Sequence, residues 1–334
     1  MKPAIVARMC PPNGPETTAE VLCPRGDDRP SAERLVPPSR RDGESQAHSP
    51  AFGRTDWALL AAVAGMWGSS FLFIDIGLQS LEPTVVTLLR LLFGAATLAG
   101  FQRARTPVPR ADWMLVALLG LLWMAIPLLL FPIAQQWIDS SLAGMVNGAV
   151  PLFAAAVATV ILRTLPGRRQ LVGLAIGFLG VVAIGWPAVQ GAWATALGVG
   201  LVLLATMLYG IAINLAVPLQ QRYGALPVLL RAQLFALAVV SVPGVAGLPD
   251  SSFAWPSLVA VAALGCLGTA LAFVGMTTLV GRVGAARGSV TIYFIPIVAI
   301  VLGIVFRGES IAAISLAGSA LVMAGAYLTS RKEA

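Results

Sequence analysis

The stretch Ser140-Ser141-Leu142-Ala143-Gly144-Met145-Val146-Asn147-Gly148-Ala149-Val150-Pro151 decides the fold, because it has a counterpart 145 residues later, from Ala285 to Pro296. At that offset Gly120 falls on Gly265, Pro151 on Pro296, Gly173 on Gly318 and Gly180 on Gly325. Glycine and proline are the residues a helix tolerates least. Four of them in one register over 60 residues mark a duplicated unit. The register continues upstream at an offset of 142. There Gly68 meets Gly210, Leu92 meets Leu234, Phe93 meets Phe235 and Ala96 meets Ala238, and Trp67-Gly68 corresponds to Tyr209-Gly210. A three-residue difference in one loop accounts for the change of offset.

Composition states what kind of unit is duplicated. Of 334 residues, 57% are hydrophobic and 11% charged, against roughly 25% charged in soluble domains. The mean hydropathy is +0.84. These values exclude a water-soluble globule. The first 56 residues carry eight basic and eight acidic residues, so the net charge of +7 belongs to the apolar remainder. Basic residues in such a chain mark cytoplasmic loops rather than nucleic-acid binding. Cys10, Cys23 and Cys266 form no disulfide or ligand spacing, and His48 is the single histidine. No metal or other cofactor is expected.

Residues 1–55 are rich in Pro, Arg, Ser and acids and lack an apolar run. They are expected to form a disordered cytoplasmic tail and do not resemble a secretory signal. From Asp56 onward, apolar runs cover about 57–77, 83–101, 113–133, 140–162, 170–186, 196–216, 226–246, 255–279, 286–306 and 311–329. Each approaches the ~20 residues needed to span hydrocarbon. Barrel strands are shorter and alternate, so the runs are helices. The expected fold is an all-α polytopic membrane protein with about ten transmembrane helices.

If ten helices alternate, Arg103, Arg105, Arg110, Arg163, Arg168, Arg169, Arg222, Arg282, Arg287, Arg331 and Lys332 lie on one side. The other side holds Glu82, Asp139, Asp250 and Glu309, with Arg307 its single basic residue. The positive-inside rule then places both termini in the cytoplasm, the protein being multi-pass in the cytoplasmic (inner) membrane. Five helices per unit is odd, so the second unit enters the membrane upside down. The chain therefore divides into a tail (1–55), a first five-helix repeat (56–190) and a second, inverted repeat (191–330). Inverted repeats are a recurring basis of alternating access.

Trp67-Gly68-Ser69-Ser70-Phe71, Arg90-Leu91-Leu92-Phe93-Gly94-Ala95 and Ala134 to Ala143, followed by Asn147 and Pro151, resemble the EamA-like family of the drug/metabolite transporter superfamily. In the second unit Gly268-Thr269-Ala270, Val283-Gly284-Ala285, Tyr293, Pro296 and Gly308-Glu309-Ser310 carry the same resemblance, which spans about 56–330. It implies a secondary transporter, and it alone implies export. Two positions depart from the pattern: Thr164 stands where Glu309 stands in the second unit, and Asp75 replaces a basic or neutral residue.

Polar groups within hydrocarbon need a partner or a wet cavity. Arg90 lies roughly 10 Å below the outer boundary, so it either snorkels outward, orients an anionic group in a cavity, or pairs with Asp75, a coupling or ion-pair candidate. Arg231, about 6 Å from the inner boundary, is expected to snorkel. Trp67, Arg90, Gln135, Asn147, Tyr209, Asn214 and Tyr293 are the substrate-cavity candidates; an interhelical hydrogen bond is the alternative for each polar one. Gly68, Pro151, Gly210 and Pro296 are hinge or packing candidates, since proline removes a helical hydrogen bond. Gly173, Gly177, Gly180, Gly318 and Gly325 suit close helix packing.

No nucleotide-binding segment is present, and no His or paired acids that could serve an intramembrane enzyme. The expected function is gradient-driven transport of a small organic solute, metabolite or drug, with a facilitative channel or a non-transporting sensor as the alternative. The expected partners are the solute and the lipid bilayer, without nucleic acid. Monomer and homodimer are both open.

Overall fold

A computed structural model describes residues 53–162, 167–190 and 192–330. The tail expected over 1–55 falls almost wholly outside them, as do Arg163, Thr164, Arg331 and Lys332. Among the described residues there are ten helical spans and no strand. They are α1 Arg54–Leu78, α2 Pro83–Ala99, α3 Arg110–Ala134, and α4 in two pieces, Ser140–Asn147 and Val150–Leu162. Then come α5 Arg168–Gln190, α6 Trp193–Tyr223, α7 Ala225–Ala246, α8 Trp255–Val283, α9 Val290–Arg307 and α10 Ala313–Ser330. All ten apolar runs of the sequence are helices, including the short run at 170–186. The chain is an all-α polytopic membrane protein of two inverted five-helix repeats. We call the face holding Arg54 and Ser330 the terminal face and the other the far face.

The surface agrees with a bilayer setting. Large apolar side chains such as Val160, Leu179, Val242 and Val305 stand exposed along the helices. Exposed tryptophans collect at helix ends: Trp57 and Trp113 on the terminal face, Trp137, Trp186, Trp193 and Trp255 on the far face. That distribution is the aromatic belt of a membrane interface.

The repeat is visible in how the helices touch. A Cβ added to Gly120 would lie 2.5 Å from the Ala232 carbonyl oxygen, and one added to Gly265 would lie 2.6 Å from that of Arg90. Ala232 and Arg90 are themselves equivalent at the offset of 142. Likewise Gly68 of α1 lies against Val298 of α9, while Gly210 of α6 lies against Phe153 of α4, and those pairs also exchange under the register. Both Gly120 and Gly265 sit in π-helical turns, Gly120–Ala125 and Leu264–Leu271. Such turns are rare and concentrate at functional sites. Here they recur at matching positions in the two units.

Without water between helices, association in a bilayer rests on close van der Waals packing. The α5–α10 pair shows the limit of this. A Cβ on Gly325 would sit 2.4 Å from the Gly177 backbone nitrogen, and one on Gly180 would sit 2.6 Å from the Gly318 oxygen. The glycines expected to pack do so, and they dock α5 and α10 against each other outside the central group of helices.

Two turns use a backbone that only glycine adopts easily: Gly224 between α6 and α7 (φ +83°) and Gly284 before α9 (φ +82°). At the equivalent positions of the first unit stand Glu82 and Asp139, with φ of −60° and −66°.

Candidate functional site

At mid-depth between the two units lies a cavity of about 160 Å³. Its wall is built mostly of equivalent positions: Trp67 with Tyr209, Phe71 with Ile213, Trp123 with Gly268, Met124 with Thr269, Leu128 with Phe273, Asn147 with Ile292, and Val150 with Ile295. The cavity thus straddles the axis relating the repeats. Ser70, Ile74, Arg90 and Phe131 line it without an equivalent, and all four come from the first unit.

Arg90 turns inward. It is 7% exposed and its Nε donates to the Thr269 hydroxyl at 2.8 Å. Thr269 in turn donates to the Leu264 carbonyl five residues back, at 3.3 Å, a bond suited to the π-turn. Snorkelling is therefore not what Arg90 does, and it does not pair with Asp75. Asp75 forms its ion pair with Arg307 of α9, which ties α1 to α9 near the far face. Arg231 behaves as expected: its guanidinium donates to the carbonyls of Ala104 (2.9 Å), Pro227 (3.1 Å) and Arg105 (3.2 Å) at the terminal face.

Of the seven cavity candidates, four line the wall: Trp67, Arg90, Asn147 and Tyr209. The Asn147 side chain makes no hydrogen bond among the described residues. Asn214 is instead an interhelical staple, donating to the carbonyls of Ala154 and Gly210, each at 2.9 Å. Tyr293 packs on the apolar core. Gln135 caps the end of α3 with both amide atoms buried and unpaired. Neither it nor Tyr293 lines the cavity. Aromatic edges finish the walls: Trp67–Phe273 at 5.4 Å, Trp123–Phe273 at 5.5 Å, and Phe131 stacked on Tyr209 at 6.0 Å. Trp123, Phe131 and Phe273 escaped sequence reasoning because an aromatic residue in an apolar run carries no signal of its direction.

The prolines act on this wall. Each lacks the N–H that would bond the carbonyl four residues before it, and those residues, Asn147 and Ile292, both line the cavity. Around Pro151 the helix breaks at Gly148-Ala149, whereas α9 runs unbroken through Pro296. Gly148 lies directly against the Pro296 ring, so the break in one unit rests on the proline of the other.

A second tie joins α9 to α4 at the far face. The left-handed Gly308 (φ +64°) ends α9 and turns the chain back, its N–H bonded to Ile304 and that of Glu309 to Gly303. The Glu309 carboxylate then caps the start of α4. It accepts from the Ser140 N–H (3.0 Å), the Ser140 hydroxyl (2.6 Å) and the Ser141 N–H (2.9 Å). A carboxylate there satisfies unpaired amides and meets the positive end of the helix dipole. Asp139 lies beside it. Loss of hydration and, next, the Glu309 charge hold Asp139 above the usual carboxylate range. Sequence reasoning singled out Glu309 as a motif but did not find its partners.

The model of the EamA-like transporter family matches the chain twice, over residues 56–186 and 196–331. The chain is 26% identical to an uncharacterized transporter of Archaeoglobus fulgidus, covering 83% of this chain and 99% of the relative. It is 29% identical to a probable terminal-alkyne amino-acid exporter of Streptantibioticus cattleyicolor, covering 83% and 93%. It is 25% identical to a probable amino-acid metabolite efflux pump of Salmonella typhimurium, covering 82% and 94%. A solved crystal structure shares the fold at a TM-score of 0.59 and 17% identity, over 82% of this chain and 96% of that one. The double match, on two inverted five-helix units around one central cavity, means that this chain belongs to the EamA-like transporter family and is a multi-pass membrane transporter.

Proposed function

We propose that the protein is a secondary transporter that exports small organic solutes across the cytoplasmic membrane by alternating access, with both termini in the cytoplasm. The observation that carries this reading is the cavity on the axis between the repeats. If the two units exchange conformations, access passes from one face to the other around a fixed site. The terminal face carries the arginine-rich loops and is therefore the cytoplasmic one. The far face is closed by Asp75–Arg307 and by Glu309 on Ser140 and Ser141. The register places Val217, Leu162 and Thr164 opposite Asp75, Arg307 and Glu309. These far-face ties are thus not repeated at the equivalent positions, and the terminal face has a different ion pair, Asp56 with Arg282, joining α1 to α8.

Trp67, Arg90, Asn147 and Tyr209 are the residues of this reading that meet solute, with Thr269 and Trp123 added from the cavity wall. The break at Gly148-Ala149 beside Pro151 is the flexing point, and Gly68, Gly210 and Pro296 are the packing points about which it moves. The names of two relatives support amino acids or their derivatives as the solute class. Their transport role also supports a carrier rather than an enzyme. The test is counterflow: proteoliposomes preloaded with unlabelled solute should take up labelled solute saturably. Non-saturable flux would instead indicate a channel.

A further inference from the structure

We propose that the cavity recognises a small apolar monocarboxylate whose amino group is absent or acylated, through the free fork of Arg90. The inference rests on the transporter reading above and names its substrate class. A guanidinium stays charged at any accessible pH, and an unpaired charge within hydrocarbon is costly. Arg90 nevertheless has no ion-pair partner among the described residues. Its single hydrogen bond uses Nε, which leaves both terminal nitrogens on a side chain that lines the cavity. Such a fork fits a carboxylate with two parallel bonds.

The rest of the wall narrows the choice. Among the described residues, no Asp or Glu lines the cavity. The nearest carboxylate along α1, Asp75, is held by Arg307. A ligand ammonium would therefore meet the charge of Arg90 with no acid to offset it. A single cation also suits a monoanion better than a phosphate dianion. Trp67, Trp123, Phe131, Phe273 and Tyr209 present aromatic surface, which suits an apolar body. The volume of about 160 Å³ is below the roughly 300–1,000 Å³ of drug-sized pockets and suits one ring or a short branched chain.

The test uses the full-length protein in proteoliposomes and in detergent, with a series matched in size: phenylacetate, phenylacetamide, phenylalanine, phenethylamine and phenyl phosphate. Phenylacetate should raise the melting temperature and drive saturable counterflow, ahead of the other four. Arg90→Gln should weaken the phenylacetate response roughly 10- to 100-fold, the loss expected for hydrogen bonds to a charged group, while Arg90→Lys retains part of it. The wild-type series decides the matter even if Arg90→Gln fails to fold. An equal response to phenylacetamide, phenylalanine or phenethylamine, a stronger one to phenyl phosphate, no response in the series, or an undiminished response in a folded Arg90→Gln would each overturn the proposal. The carrier reading fails separately, if no solute of a broad panel shows saturable counterflow.

Discussion

The two repeats agree in their packing and differ in their charges. Where glycines let helices meet, the units are near copies: Gly120 on Ala232 repeats as Gly265 on Arg90, and Gly68 on Val298 repeats as Gly210 on Phe153. Where a charge could stand, they part. Arg90 answers to Ala232, Asp75 to Val217, Arg307 to Leu162 and Glu309 to Thr164. The acidic Glu82 and Asp139 answer to Gly224 and Gly284. A close glycine contact between helices leaves little room for change, so both copies keep it. Charge is set by the side of the membrane and by the cavity, and an inverted copy sees the opposite side. The duplication thus provides two similar bodies, and the substitutions between them provide charged ties at the far face and an arginine in the cavity wall.

The most severe way to break the shared packing is at α5–α10. Gly325→Val would drive a branched side chain into the backbone of Gly173 and Gly177. We expect a loss at or beyond the upper end of the roughly 1–3 kcal/mol of ordinary overpacking, read as a collapse of monodisperse yield and melting temperature in detergent. A more measured comparison is Gly120→Ala against Gly265→Ala. Their obstructed contacts are alike, at 2.5 and 2.6 Å, so each should cost about 1–3 kcal/mol and the two melting shifts should agree. A large effect at one and none at the other would break the equivalence.

The charged differences should give stability changes no larger than these but larger changes in access. Glu309→Gln removes a charged acceptor from three donors, which should cost about 1.5–3 kcal/mol. Labelling of a cysteine introduced at Gln135 by a membrane-impermeant reagent should become faster as the far face opens. Unchanged labelling would mean that the carboxylate only caps α4. Asp75→Asn should cost less, about 1 kcal/mol or below, because its ion pair with Arg307 is partly exposed. A double-mutant cycle with Arg307→Gln measures the coupling.

The smallest effect concerns Asp139. Its carboxyl titrates higher in the folded protein than the ordinary 3.8, so the folded state binds that proton more strongly. The stability this confers is complete below 3.8 and is lost as pH rises through the folded value. Asp139→Asn should therefore flatten the melting temperature against pH just above 3.8 and raise it slightly at neutral pH. A steeper dependence in the variant would contradict this.

The sequence by itself determined the ten helices and the duplication, which rest on hydrophobic run length and on glycine and proline spacing, and its motifs carried the resemblance to the family. It also marked the glycines of α5 and α10 as packing positions, while the fact that these two helices pack on each other came only with the tertiary structure. What faces the cavity was decided only by the tertiary structure. Arg90, Asn147 and Asn214 look alike in sequence, as polar residues in apolar runs, yet two of them line the cavity and the third staples α6 to α4. The partner of Asp75 was likewise out of reach, because Arg307 lies 232 residues away along the chain and is brought near by the crossing of α1 and α9. A helix fixes which residues share its stripe. Which stripe meets water, lipid or another helix depends on how it is rotated against its neighbours, and that rotation exists only once all ten are packed.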